Sequence, residues 1–291
     1  MLNSFFRSKL RSQLGKATLY LAIGLFGVHL LLTELAPWFP HLAHIPLLSN
    51  PINAIYTPFS VLLVYEVYLL IYYLRRSTTI YIGKQYEIMA LILIRNLFKD
   101  LSETDFRLAS WTDWSQIALF RDLGAVALAF TLIYLFYRIS GMYAPHAIES
   151  EEEQLIGTKL SSFVRAKKIL SGGLLLVFIG LGSYSLFSWT GSLLGWMDSP
   201  GVDFNHIFFD EFYTFLILSD VCILLFSLLY TDDFPVIIRN SSFVVSTILL
   251  KLSLTAQPGM AQILLLVGVA FGLIMLWLAN QFDALSNKSQ T

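Results

Sequence analysis

Charged residues are scarce in this sequence. Asp, Glu, Lys and Arg together make up 13% of its 291 residues, whereas soluble domains usually carry about 25%. The mean hydropathy is +0.67, and the few charges stand between long apolar runs, which is the pattern that bilayer insertion demands. A secreted or cytosolic globular enzyme is therefore excluded, and the composition predicts an integral membrane protein.

Cysteine and clustered basic residues are also lacking. The one cysteine, Cys222, excludes an internal disulfide. Lys and Arg number 19 against 20 Asp and Glu, and no basic tract is sustained, so we expect no nucleic-acid partner. The P-loop, His-Glu-x-x-His and Gly-x-Ser-x-Gly motifs do not occur in the sequence. These absences favour a protein that is not an enzyme, and they predict neither a cofactor nor a bound metal.

Eight apolar stretches predict an all-α integral membrane protein with eight transmembrane helices. Seven are long enough to span a bilayer, which takes about 20 residues. The stretch 82–100 has a short apolar centre between charged residues, so that it fits either a span or an amphipathic surface helix. Counting it as a span places most Lys and Arg residues in cytoplasmic loops of a plasma-membrane protein, with both termini cytoplasmic. The predicted spans are 18–36, 52–74, 82–100, 118–138, 169–196, 208–230, 234–255 and 258–281.

The second half of the chain resembles the first. Residues 4–10 (SFFRSKL) align with residues 162–168 (SFVRAKK), and AFTLIYLFY near the end of the first half aligns with AFGLIMLWL near the end of the second. Such matches recur in the same order at a near-constant offset, which indicates a tandem 4+4 duplication. Because four spans per copy is an even number, the copies are parallel repeats. We therefore predict a first four-helix repeat at 1–140, an acidic cytoplasmic linker at 141–160 and a second four-helix repeat at 161–291.

Ionisable residues recur at matched positions inside the predicted spans. Glu66 aligns with Asp220, and each is expected to lie about 12 to 15 Å from the cytoplasmic end of its helix. A charged side chain near the bilayer centre costs at least about 2.5 kcal/mol and normally faces a partner or a water-filled cavity. Bases that could reach these acids recur in the span that follows each of them. The aligned bases are Lys84 with Arg239 and Arg95 with Lys251.

These charges support two main hypotheses of function. The first is a transport-type protein, either a cation or proton channel or an ion-coupled carrier, in which the six residues line an ion or proton path. The alternative is a non-catalytic scaffold or anchor subunit, in which the same charges form buried salt bridges that fix which helices are neighbours.

A third hypothesis is a membrane enzyme that acts on lipid. It ranks last because no nucleophile and base with a recognisable spacing occur. The residues available to it lie on the predicted outer face, and they are His41, His44, His206, Asp210 and Glu211. The two loop histidines alone do not make a metal site, since a third ligand is not evident nearby.

Small residues recur in the last span of each repeat. Gly268 and Gly272 form a Gly-x-x-x-Gly pattern, and the aligned positions hold Ala127 and Thr131. Such a pattern permits close contact between helices in a lipid bilayer. The contact joins helices of one chain, or it joins protomers of a homo-oligomer or other membrane subunits. We favour packing within one chain.

Overall fold

The computed structural model describes residues 8–38, 48, 51–74, 77–103, 114–141, 158–193, 204–230 and 233–288. All regular secondary structure in these ranges is helical, which confirms the predicted all-α class. Short 3-10 helices occur at Ala36–Trp38 and Pro51–Ile55. The eight α-helices of the described ranges are α1 (Ser8–Leu35), α2 (Tyr56–Tyr73), α3 (Thr78–Glu103), α4 (Trp114–Ser140), α5 (Thr158–Leu193), α6 (Phe204–Tyr230), α7 (Phe234–Thr255) and α8 (Pro258–Lys288).

Five stretches of helix are long and apolar enough to cross a membrane. The apolar helix Thr57–Tyr73 is shorter. The uncertain third stretch forms one continuous helix of 26 residues, and its membrane crossing stays a prediction. The five candidate spans, found among the described residues, are Lys9–Trp38, Leu119–Ser140, Arg165–Tyr184, Phe234–Thr255 and Gly259–Leu285.

Proline and glycine mark several of the helix ends. Pro235 lies in the first turn of α7 and Pro258 begins α8, positions where the missing backbone N–H is not needed. Gly141 follows α4 with a φ of 69°, a left-handed conformation that favours glycine and stops a helix. α5 begins at Thr158, inside the range predicted as linker, because hydropathy indicates where a span lies and not where its helix starts.

Contacts divide the chain into two compact units. Unit 1 comprises Met1–Leu69 and Tyr86–Phe130, and unit 2 comprises Leu70–Gln85 and Thr131–Thr291. Within unit 2, α5 packs against α6, α6 against α7, and α7 against α8. The tandem repeat and its predicted boundaries stay predictions.

In unit 1, α2 contacts both α1 and α3. The Tyr65 hydroxyl donates a hydrogen bond of 3.2 Å to the carbonyl oxygen of Arg11. Nδ1 of His29 lies 2.6 Å from Oγ1 of Thr57, so the histidine in the first span has a polar partner on α2. The rings of Phe59 and Phe98 stack with their centroids 5.2 Å apart. These contacts hold α1, α2 and α3 together through a mixture of polar and aromatic packing.

Many large apolar side chains are exposed along the candidate spans. On α1, Tyr20 is 74% exposed and Leu31 is 65% exposed, and on α5 Ile169 is 70% exposed. In water, such extended apolar surface would favour aggregation or binding of a partner. In a bilayer the same surface faces acyl chains at no cost, as expected for membrane-spanning helices.

α8 approaches α7 closely at Gly268. A Cβ atom added there would lie 3.2 Å from Cβ of Leu249 and 3.3 Å from the carbonyl oxygen of Ser246. The Ser246 hydroxyl also donates a hydrogen bond of 2.7 Å to the carbonyl oxygen of Gly268. Gly272, one turn further along α8, is buried. Gly268 therefore takes part in helix packing within the chain, whereas Ala127 and Thr131 are exposed on α4.

We expect Gly268→Leu to destabilise the protein by about 1 to 3 kcal/mol, the usual cost of overpacking a tight contact. Gly180→Leu is the matched control, because a Cβ added at Gly180 meets nothing within 4 Å. Both variants make the same change of residue type in a helix, so their difference isolates packing against α7. Thermal unfolding in detergent measures it, and equal melting temperatures for the two variants would contradict the close contact.

Candidate functional site

Asp220 is a buried carboxylate on α6, in unit 2. It is 5% exposed, and Gln85 on α3 is 1% exposed. Nε2 of Gln85 donates a hydrogen bond of 3.1 Å to Oδ2 of Asp220. Asp220 lies about 15 Å from the end of α6 at 1.5 Å per residue. A carboxylate buried to this degree loses most of its hydration, so that the protein has to supply its polar contacts.

Gln85 connects Asp220 to a third helix. Oγ1 of Thr247, on α7, donates a hydrogen bond of 2.9 Å to Oε1 of Gln85 and also contacts the carbonyl oxygen of Phe243. These two bonds fix the orientation of the Gln85 amide. Its NH₂ group faces the carboxylate, which accepts a hydrogen bond, and its oxygen faces the hydroxyl, which donates one. The chain Thr247–Gln85–Asp220 thereby joins α7, α3 and α6 through one buried polar network.

A small cavity adjoins the carboxylate. Its volume of about 10 Å³ is room for about one water molecule. Most of its lining is apolar, and Lys167 from α5 is the basic side chain in its wall. Lys167 is 6% exposed, and its positive charge attracts the carboxylate of Asp220. The polar residues that line the cavity are Thr78, Tyr81, Lys167, Asp220 and Asn240.

Tyr81 brings a buried hydroxyl to the same place. The residue is 2% exposed, and its hydroxyl faces Asp220 and Gln85 without meeting hydrogen-bond geometry with either. A buried hydroxyl without such a bond costs free energy, typically about 1 to 3 kcal/mol. A buried hydroxyl in this position is usually satisfied by an ordered water or by a small shift toward a neighbouring polar group.

Two of the predicted bases, Lys84 in the helix after Glu66 and Lys251 in the helix after Asp220, contact other residues. Lys251 donates a hydrogen bond to Oγ1 of Thr214, and Nζ of Lys84 lies 5.4 Å from the centre of the Tyr73 ring, where a cation–π interaction is favourable. Arg239 is half-buried on α7. The structure also brings Lys167 to the cavity of Asp220, although the sequence indicates only a basic segment near the start of α5.

Glu66 and Arg95 belong to unit 1. Glu66 lies on α2 and Arg95 on α3, and both side chains are half-buried. Their predicted roles beside an ion path stay predictions. In the same unit, Arg121 forms a salt bridge of 2.9 Å with Asp122 on α4, so these two neighbouring charges neutralise each other locally.

Sequence reasoning missed Gln85, Thr247, Tyr81 and Lys167 as neighbours of Asp220. For Tyr81 and Gln85 a signal exists, because Thr78, Tyr81 and Gln85 are spaced by three and four residues, as on one helix face. Thr247 has no comparable signal. Lys167 carries no such signal. It stands between basic residues, and Arg165 and Lys168 on the same helix are exposed.

The described residues contain no cluster of three or more His, Cys, Asp and Glu side chains that could hold a metal ion. His41 and His44 lie outside the described residues, as do the side chains of His206 and Asp210. Glu211 is exposed on α6. The described residues therefore provide no candidate active site for a membrane enzyme that acts on lipid.

The fold and the apolar helices define a class. Five helices are long and apolar enough to cross a membrane, which indicates a multi-pass helical membrane protein. No protein-family description, curated protein or solved structure matches the chain.

Proposed function

We propose that this protein moves a cation or a proton across its membrane and that Asp220 is the acid that binds it. The observation that supports this proposal is a buried carboxylate in the wall of a small cavity, with a second buried charge, Lys167, in the same wall. Charged residues inside membrane segments are rare, and they can mark ion and proton pathways.

The surroundings of Asp220 favour transport over a purely structural role. Asp220 accepts a hydrogen bond from a neutral amide, Gln85, and a cavity adjoins both the acid and Lys167. An acid held in this way can bind and release a cation or proton without breaking the packing of the helices.

We further propose that all eight helices span the membrane as two parallel repeats. The repeats comprise 1–140 and 161–291, joined by a cytoplasmic linker at 141–160. The order of the eight helices and the aligned acids support this arrangement. Glu66, half-buried on α2, would serve in the first repeat as Asp220 serves in the second, with Lys84, Arg95, Arg239 and Lys251 placed to tune the acids. The positive charges of the loops favour cytoplasmic termini in a plasma membrane.

This topology predicts which introduced cysteines react from outside the cell. In a Cys222→Ser background, Leu2→Cys and Gln290→Cys are expected to react with a membrane-impermeant maleimide only after permeabilisation. Ser110→Cys, in the predicted outer loop between α3 and α4, is expected to react in intact cells. Labelling of either terminus in intact cells, or protection of residue 110, would contradict the proposed topology.

Purified protein in liposomes tests the transport function. We expect an imposed membrane potential to drive uptake of protons, Na⁺ or K⁺ at a rate above that of protein-free liposomes. The probes are a trapped pH-sensitive dye and radioactive cations. Folded protein that carries no cation in this panel would contradict the proposal and favour a structural role for the buried charges.

A further inference from the structure

The cavity beside Asp220 restricts which cation the site can bind. Its volume corresponds to about one water molecule. This volume is smaller than a hydrated metal cation occupies, since Mg²⁺ usually keeps several of its waters and Ca²⁺ takes six to eight oxygen ligands. A dehydrated cation would lie in the same cavity wall as the ammonium of Lys167, which repels it.

The polar groups around the cavity suit one water molecule. A buried water typically makes about three hydrogen bonds to polar groups of the protein. Asp220 offers an acceptor and Lys167 offers donors, and both line the cavity. The hydroxyl of Tyr81 faces the same acid and lacks a hydrogen bond of good geometry. A bridging water would satisfy this buried hydroxyl.

We propose that the ion handled at Asp220 is the proton, and that it reaches the acid through one water molecule bridging Asp220, Tyr81 and Lys167. The proposal rests on the transport function above. In the binding step an O–H bond of a protonated water breaks and an O–H bond to the carboxylate forms, which leaves neutral water and a neutral carboxyl group. Release to the other side reverses the step.

The other groups around Asp220 agree with this assignment. The titratable residues that face it are Tyr81 from α3 and Lys167 from α5, while α7 contributes the neutral side chains of Asn240 and Thr247. The ammonium of Lys167 already supplies a positive charge beside the acid, so that no metal cation is needed to balance the carboxylate. Gln85 holds one carboxylate oxygen through its amide.

Flux measurements separate this inference from the proposed function. In proteoliposomes with an imposed potential, we expect proton uptake reported by the trapped dye and no uptake of radioactive Na⁺ or K⁺ above background. Na⁺ or K⁺ uptake without proton movement would overturn the proton assignment and keep the transport function. No flux of any cation would overturn both.

Two variants test the bridging water. Tyr81→Phe is expected to reduce proton flux to a small fraction of the wild-type rate. Tyr213→Phe is the matched control, because Tyr213 is buried to a similar degree and does not line the cavity, and it should retain wild-type flux. Equal flux in both variants would overturn the role of Tyr81.

Infrared spectroscopy provides a readout that does not depend on flux. On acidification of the purified protein we expect the band of a protonated carboxyl group that disappears in Asp220→Asn and persists in Glu211→Gln. Glu211 is a suitable control because it is an exposed acid on the same helix. If acidification produces no band that depends on Asp220, the proton assignment is overturned.

Discussion

Liposomes that contain the Asp220→Asn variant are expected to take up protons and other cations no faster than protein-free liposomes. Asparagine keeps the size of the side chain and still accepts the hydrogen bond that Gln85 donates to Asp220 in the wild type. It cannot bind a proton or balance the charge of a cation. The substitution thus removes the chemistry of the site and preserves most of its packing. Proton uptake under an imposed membrane potential, reported by a trapped pH-sensitive dye, measures the effect.

The control for this experiment is Glu211→Gln. Glu211 lies on α6, as Asp220 does, but it is exposed, so that we expect its neutralisation to leave flux and stability near wild type. Undiminished flux in a folded Asp220→Asn variant would show that the acid is not on the path. Loss of flux in both variants would point to a general effect of charge on α6 instead of a specific site.

The second large effect is expected from Gln85→Leu, which we predict to lower the free energy of unfolding by about 1.5 to 3 kcal/mol, the usual worth of a hydrogen bond to a charged group. Hydrogen bonds between helices in membranes average only about 0.6 kcal/mol. The effect should be larger here because the amide bonds a buried carboxylate at 3.1 Å and a buried hydroxyl at 2.9 Å. Unfolding in mixed detergent micelles measures the loss.

Gln281→Leu is the control for that change, since Gln281 is exposed on α8. The double variant Gln85→Leu, Asp220→Leu should be less destabilised than the sum of the two single changes, because each single change leaves a buried polar partner unsatisfied. Strict additivity would show that the amide and the acid do not depend on each other.

The helices could be predicted from the sequence because apolar stretches of sufficient length leave few alternatives in a membrane. Even the charged stretch after Arg76 gave the helix Thr78–Glu103. Its ends and those of α5 were less predictable, since helices continue past the apolar run into charged segments such as the one that begins at Thr158. Hydropathy indicates whether a segment lies in lipid or in water, but it does not show at which residues the helix begins and ends.

The site could be predicted only in part. Asp220 stood out because a carboxylate within an apolar stretch is rare. Its partners did not, because the distance along the chain from Gln85 to Asp220 contains no information on which helices meet. Lys167 was hidden for another reason: the positive-inside rule accounts for any basic residue near the cytoplasmic end of a span. Only the rotation of α5 shows that Lys167 is buried whereas Lys168 is exposed.

Transport through the paired acids is tested most directly by comparing wild-type protein with the Glu66→Gln, Asp220→Asn double variant in proteoliposomes, at matched reconstitution and matched thermal stability. We expect proton flux in the wild type and background flux in a stable double variant. Absence of flux in the wild type across protons, Na⁺ and K⁺, together with a destabilised double variant, would contradict transport and assign the buried charges to the structure of the protein.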